Sequence, residues 1–194
     1  MSERIGDWDR RKFLKRAGLS SVAVAAMGPL MARSAEAHGS RALNWRFMSV
    51  SGNTAGTDRF VMNGNGFVRH GRVWGGGAWN NNDTGGPPPQ ELLGFGKWRA
   101  RRLLSLEMIG TYGAFAAGTI VMRVVLVPDG GGHRRWATLT MNCNIPPGAL
   151  FTGLQEGFLL DIDGTDYEPV ILPVAAGGGP PPAIAIGATV FNVL

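Results

Sequence analysis

Residues 119–127 read Thr-Ile-Val-Met-Arg-Val-Val-Leu-Val, residues 128–132 read Pro-Asp-Gly-Gly-Gly, and residues 134–142 read Arg-Arg-Trp-Ala-Thr-Leu-Thr-Met-Asn. β-Branched residues dominate the first run, and an Asp-Gly turn signal separates it from the second. In the second run, Ala137, Leu139, Met141 and Cys143 alternate with Trp136 and with hydroxyl or amide side chains. These residues therefore predict an antiparallel β-hairpin with one face against a core.

The rest of the chain after residue 40 carries the same kind of signal. Glycine recurs every several residues and long apolar patterns at helical spacing are missing, which is typical of short strands joined by turns. Further strands are predicted at about residues 44–51, 59–63, 66–73, 77–80, 97–109, 154–161, 169–172 and 184–193. In residues 97–109, Trp98, Ala100, Arg102, Leu104, Leu106 and Met108 share one predicted face, with a short helix as the alternative.

Glycine and proline groups mark the predicted turns. The groups in residues 62–66 and 75–77 are interpreted as bulges or tight turns, because a nucleotide-binding loop would need a helix after it. Residues 80–89, 144–148 and 177–182 are predicted surface loops. About eight antiparallel strands without a covering helix favour closure of the sheet, since closure removes exposed edges. The sequence thus predicts an all-β chain, a small antiparallel β-barrel of about eight strands, with a β-sandwich as the alternative.

The N-terminus has the order of a secretory signal. Arg10 and Arg11 precede Lys-Phe-Leu-Lys, a small-residue apolar stretch follows from Ala17 to Ala32, and Ala-Glu-Ala ends at residue 37. The paired arginines resemble a twin-arginine signal, which the twin-arginine translocase reads as an address. The apolar stretch is too weakly apolar to predict a membrane span, and no later stretch predicts one. We expect a signal peptide at residues 1–37, a single exported domain at residues 38–194, and a periplasmic or extracellular location.

The basic character of the chain lies mainly in this leader. Seven of the 19 Lys and Arg and four of the 14 Asp and Glu lie in residues 1–37. The remaining residues therefore carry twelve basic and ten acidic side chains, a net charge of +2. Such a charge argues against nucleic acid as a partner. The single cysteine, Cys143, allows no internal disulfide, and its period-two spacing from Leu139 and Met141 predicts a buried position.

A resemblance extends over most of residues 60–160. Residues 62–67 (Met-Asn-Gly-Asn-Gly-Phe), 72–79 (Arg-Val-Trp-Gly-Gly-Gly-Ala-Trp), 118–127 and 137–143 resemble a family of small exported bacterial β-proteins without assigned function. More distantly, the size of the domain and the spacing of its predicted strands resemble the barrels of dirigent and allene oxide cyclase proteins. That resemblance implies an apolar small molecule bound inside the barrel, and it implies no catalytic residue.

Aromatic and charged residues on predicted strands are the candidate ligand-binding residues. Trp79 and Trp98 lie beside long loops, where an indole can stack on a ligand, although a core role is the simpler interpretation. A dirigent-like or cyclase-like enzyme would instead require Glu107, Arg102 or Tyr112 to be buried and to face a cavity. Hydrolase motifs such as Gly-x-Ser-x-Gly are missing from the sequence.

Two metal sites are conceivable. Cleavage after Ala37 would make His38 the first residue, whose α-amino group and imidazole could bind copper together with His70 or His133. The acidic residues of 161–168 begin like a calcium loop, but the glycine comes early and the expected glutamate is missing, so a hairpin turn is favoured.

The leading functional hypothesis is a non-catalytic exported β-barrel that binds a small apolar ligand or acts as a structural or interaction module. The alternatives are the dirigent-like or cyclase-like enzyme and the copper protein.

Overall fold

The computed structural model describes residues 42–85, 91–145, 152–173, 183–185 and 187–194. All of them belong to one compact unit, Ser34–Leu194. The predicted signal peptide with Arg10 and Arg11, and the predicted new N-terminus at His38, lie outside the described residues. No helix in the described part of the chain is long and apolar enough to cross a membrane.

The described chain consists of strands and turns. The strands in chain order are β1 (Leu43–Asn53), β2 (Asp58–Arg69), β3 (Arg72–Asp83), β4 (Leu92–Tyr112), β5 (Phe115–Pro128), β6 (Arg135–Cys143), β7 (Gly157–Ile162), β8 (Thr165–Pro169), β9 (Ile171–Pro173), β10 (Ala183–Ala185) and β11 (Gly187–Val193). Strands β9 and β10 form a separate two-stranded pair. The all-β prediction is confirmed.

The main sheet closes on itself. Strands β1 to β8 pair antiparallel in sequence order, and β8 returns to β1 through Ser51–Asn53, which completes a ring of hydrogen bonds through eight strands. The ninth strand, β11, pairs with residues 43–49 of β1 and reaches Phe115 and Ala116 of β5. Because β1 pairs with β11 over residues 43–49 and with β8 over residues 51–53 alone, the barrel-like sheet is uneven.

The hairpin predicted from residues 119–142 is present and consists of β5 and β6. Strands β5 and β6 pair from Gly118 with Cys143 to Leu126 with Arg135, and the turn between them contains Gly130 and Gly131 at positive φ. Ala137, Leu139, Met141 and Cys143 of β6 are buried, as the alternation predicts, and Trp136 on the other face is exposed.

The prediction was wrong for the glycine-rich strands. A single strand over residues 66–73 does not exist, because His70 (φ 49°) and Gly71 (φ 68°) form a two-residue turn between β2 and β3. The glycines of residues 62–66 and 75–77 form neither bulges nor turns; they pair in unbroken register, Gly64 with Gly77 and Gly66 with Gly75. Short loops that need positive φ favour Gly, and His accepts it more readily than bulky residues do.

The predicted faces of residues 97–109 also needed correction. Strand β4 is a strand throughout, but its register against β5 shifts between Ala100 and Arg102, between Leu103 and Ser105, and between Met108 and Gly110. Each inserted residue reverses the alternation beyond it. As a result Arg102 is exposed opposite Arg123, while Leu103 packs against the core.

Aromatic side chains fill the centre of the sheet. Trp45 stacks on Trp98 with ring centroids 5.8 Å apart, Phe47 contacts both, and Phe158 meets the edge of Phe47 at 5.7 Å. All four are at most 3% exposed. Burial of aromatic rings on this scale is the main stabilising term of a small domain that has no disulfide.

Candidate functional site

The two tryptophans that were candidate ligand contacts lie in this core. Trp98 is 1% exposed and its Nε1–H donates to the carbonyl oxygen of Asn63 at 2.8 Å. Trp79 is 8% exposed, packs on Phe60, and donates to the carbonyl oxygen of Lys97 at 3.1 Å. The structure thus gives both indoles a packing role with satisfied N–H groups, and their contact with a ligand stays a prediction.

Glycines make room for these rings. A Cβ on Gly64 would lie 2.4 Å from Cζ2 of Trp98, and a Cβ on Gly66 or Gly75 would lie 2.4 Å from Cζ2 of Trp45. The glycines therefore serve the close approach of indole rings to backbone, a role that local turn signals in the sequence did not reveal.

Glu107 and Tyr112 do not meet in a pocket. Both are exposed on β4, Tyr112 to 70%, and Arg102 is exposed as well. The dirigent-like or cyclase-like alternative required these side chains to be buried against a cavity, and their outward position counts against it.

The candidate metal residues are separated. His70 lies exposed in the turn between β2 and β3, His133 lies exposed between β5 and β6, and His38 is outside the described residues. Within the described ranges, no three His, Cys, Asp or Glu side chains are grouped so as to hold a metal ion. Copper binding stays a prediction that rests on His38.

The acidic segment at residues 161–168 forms the β7–β8 hairpin turn. Asp161 accepts the N–H of Gly164 at 3.0 Å, and Asp163 has a φ of 53° and forms an ion pair with Arg135 at 3.1 Å. The interpretation of this segment as a hairpin turn is confirmed.

A half-buried carboxyl group that the sequence analysis missed connects the residue after β6 with β11. Glu156 accepts the N–H of Asn144 at 2.7 Å and the N–H of Thr189 at 2.9 Å. Burial raises the pKa of Glu156, and the two backbone bonds only partly oppose that effect. Nothing in the local sequence marks Glu156, because its partners are distant backbone groups.

The cysteine lies beside this carboxyl group. Cys143 is 5% exposed and its Sγ donates to the carbonyl oxygen of Thr189 at 3.1 Å. Burial, with the charge of Glu156 as a second cause, raises the pKa of Cys143 to about 11. The prediction of a buried cysteine is confirmed, and the thiol is poorly suited to nucleophilic chemistry.

The outer side of strands β1 to β4 groups a different set of residues. Strand register places them in rows that run across the four strands, since residues opposite each other point to the same face. We call this surface the basic face; its residues are Asn44, Arg46, Met48, Asn63, Asn65, Phe67, Arg69, Arg72, Trp74, Gly76, Ala78, Lys97 and Arg99.

A shallow cleft opens on the basic face. It has a volume of about 410 Å³ and extends from β11 to β3, with Arg46, Asn65 and Gly76 in its lining. Beside it Phe67 and Trp74 stack at 4.8 Å and remain 40% and 42% exposed. A second cleft of about 240 Å³, lined by Asn53, Arg59 and Glu168 among others, lies where β8 meets β1.

Comparison with known proteins gives no match: no family model, no curated protein and no solved structure is significantly similar to this chain.

Proposed function

We propose that the chain is an exported, non-catalytic β-barrel module that binds its partner through the outer side of the sheet. The observation that carries the proposal is the contrast between the two sides of β1 to β4. Trp45 and Trp98 fill the inner side, whereas Phe67 and Trp74 are stacked on the outer side and remain open to solvent.

The stacked rings of Phe67 and Trp74 form an apolar surface that remains exposed to solvent in the folded protein. Phe67 and Trp74 sit opposite each other in the register of β2 and β3, so the sheet holds the pair in a fixed position. Apolar surface next to polar and charged groups is characteristic of binding surfaces. The cleft beside the pair adds the concave shape that recognition requires.

A small apolar ligand inside the barrel is the competing function, and an uncharged apolar fluorophore such as N-phenyl-1-naphthylamine distinguishes the two. We expect no saturable rise in fluorescence with the native protein, because aromatic rings occupy the centre of the barrel. Saturable binding that Trp98→Phe removes and Trp74→Ala leaves intact would move the site to the interior and contradict our proposal.

Export is tested through the leader. The double variant Arg10→Lys/Arg11→Lys should accumulate as precursor in the cytoplasm, since a twin-arginine signal is read through both arginines. The control Arg33→Lys, nearer the expected cleavage site, should be processed normally. Undiminished export of the double variant would contradict the signal assignment.

A further inference from the structure

We propose that the basic face binds a saccharide that carries carboxylate groups, such as a segment of an acidic polysaccharide. This inference rests on the outward-binding function proposed above and names its ligand class. The basic face combines three features that such a sugar needs: cations, amides and an aromatic platform.

The cations of the basic face form no ion pair with a carboxylate in the described part of the chain. Arg46, Arg69, Arg72, Lys97 and Arg99 belong to the face, and no Asp or Glu does. In the described part of the chain an ion pair joins Arg135 and Asp163, and none of the five takes part in it. Arg69 and Arg72 lie directly opposite each other, so their positive charges add at one end of the face.

The positions of two arginines fit a ligand held over the cleft. Arg46, Asn65, Gly76 and Arg99 form one row across the four strands. Neighbouring strands are about 4.8 Å apart, so the two arginines stand roughly 14 Å from each other at the backbone. Gly76 lies between them and, having no side chain, leaves the surface open there. Guanidinium groups bind carboxylates with paired hydrogen bonds.

Amide and aromatic groups supply recognition of the sugar itself. Asn65 lies in the same row as the two arginines, and its amide can donate to and accept from hydroxyl groups. Trp74 is two residues from Gly76 on the same face, roughly 7 Å along the strand, and a sugar ring can stack on its exposed indole.

An acidic saccharide fits the charge better than nucleic acid does. The described residues carry 11 Lys and Arg against 10 Asp and Glu, so the basic face is a local feature of a nearly neutral domain. Duplex DNA presents a charge about every 1.7 Å and is bound by much denser positive charge. Arg99 is roughly 7 Å from Lys97 along β4 and roughly 14 Å from Arg46 across the strands, and this spacing suits the sparser carboxylates of a uronic acid chain.

The test is calorimetric titration of the full chain with an oligogalacturonate, and with a neutral maltooligosaccharide of the same length as the control ligand. The double variant Arg46→Gln/Arg99→Gln should bind the acidic oligomer at least about tenfold more weakly, because each arginine loses a charge-assisted contact. Trp74→Ala should weaken binding roughly fivefold. Arg46→Lys/Arg99→Lys should fall between the double variant and wild type, since it keeps the charge and loses the guanidinium geometry.

The matched control is Arg102→Gln/Arg134→Gln. It removes the same charge from exposed positions outside the basic face, and every variant retains the basic leader, so binding through the leader cancels in the comparison. Affinity within about twofold of wild type is expected for it. Far-ultraviolet circular dichroism and urea midpoints establish that each variant is folded.

Four results would overturn the inference: no heat with oligogalacturonate, equal binding of the neutral oligomer, equal losses in the two glutamine double variants, or tighter binding of an oligothymidylate through Arg46 and Arg99. The last would assign the face to nucleic acid. The apolar-fluorophore titration is independent of all four, so a failed sugar test leaves the outward-binding proposal to be judged separately.

Discussion

Arg102 of β4 and Arg123 of β5 lie directly opposite each other on the outer side of the sheet. A bulge at residues 100–102 brings them together, because without it Arg102 would point inward with Ala100. Arg123 is further held by Thr138, whose Oγ1 accepts from Nη1 at 3.2 Å, and it lies 6.0 Å from the centre of the Trp136 ring.

Replacement of one member of this like-charge pair should stabilise the fold. Arg102→Gln is expected to raise the free energy of unfolding by about 0.2–1 kcal/mol at low ionic strength, since opposed like charges repel. Urea unfolding at low salt and at high salt checks this, because salt screens the repulsion and should remove the gain. Arg134→Gln, at an exposed loop position, is the control; a gain of the same size there would show that reduced net charge, not the pair, is responsible.

The hairpin β5–β6 and the all-β class could be predicted because their signals are local. Alternation at Ala137, Leu139 and Met141 depends only on which face each residue takes along one strand. The faces of β4 could not be predicted, because the three shifts in register follow from how β4 curves around the core and no residue type marks them.

The candidate site was predicted only in fragments for the same reason. Trp74 and Arg46 are far apart in the chain, and the register of two strand pairs, β1 with β2 and β2 with β3, is needed to place them on one face. Glu156 could not be found from the sequence because its partners are the backbone N–H groups of Asn144 and Thr189. Trp79 and Trp98 were recognised as aromatic positions on strands, but pattern alone does not tell a core ring from a ligand platform.

The contact of Gly64 with Trp98 predicts a strong effect from a single methyl group. A Cβ on Gly64 would lie 2.4 Å from the indole and 2.9 Å from the carbonyl oxygen of Gly76. The indole is buried in the core and the oxygen belongs to the backbone, so neither can move away at low cost. Gly64→Ala should destabilise the fold by about 1–3 kcal/mol, measured by urea unfolding. Gly94→Ala is the control, since its Cβ would make ordinary contacts of 3.5 Å with Trp79. Equal costs at the two positions would contradict the packing argument.

The thiol of Cys143 should be unreactive in the folded protein. Its pKa is raised to about 11 and the side chain is 5% exposed, so at pH 8 the thiolate is both scarce and shielded. We expect an aromatic disulfide reagent to label Cys143 slowly in buffer and at once in concentrated guanidinium chloride. Rapid stoichiometric labelling without denaturant would show that β6 opens locally or that the thiol is accessible.

Glu156 should make stability depend on pH in a direction opposite to that of an ordinary salt-bridged carboxylate. Its pKa is raised above the ordinary value of 4.5 by burial, so folding favours the protonated group. The stabilising contribution of this titration is therefore complete below the ordinary pKa and is lost as the pH rises through the raised pKa of the folded state. The variant Glu156→Gln removes the titration, and because an amide has one acceptor oxygen, it also leaves one of two N–H partners unpaired, at a cost of about 1–3 kcal/mol.

Urea unfolding of wild type and Glu156→Gln over a series of pH values separates the two effects. The free-energy advantage of the wild type over the variant should be largest in acid and should shrink as the pH rises from below 4.5 toward neutrality. Glu107→Gln, at an exposed position on β4, should show no comparable trend. An advantage that instead grows with pH would mean that the hydrogen bonds from Asn144 and Thr189 outweigh burial. Glu156 would then be held as a carboxylate by the backbone N–H groups of these two residues.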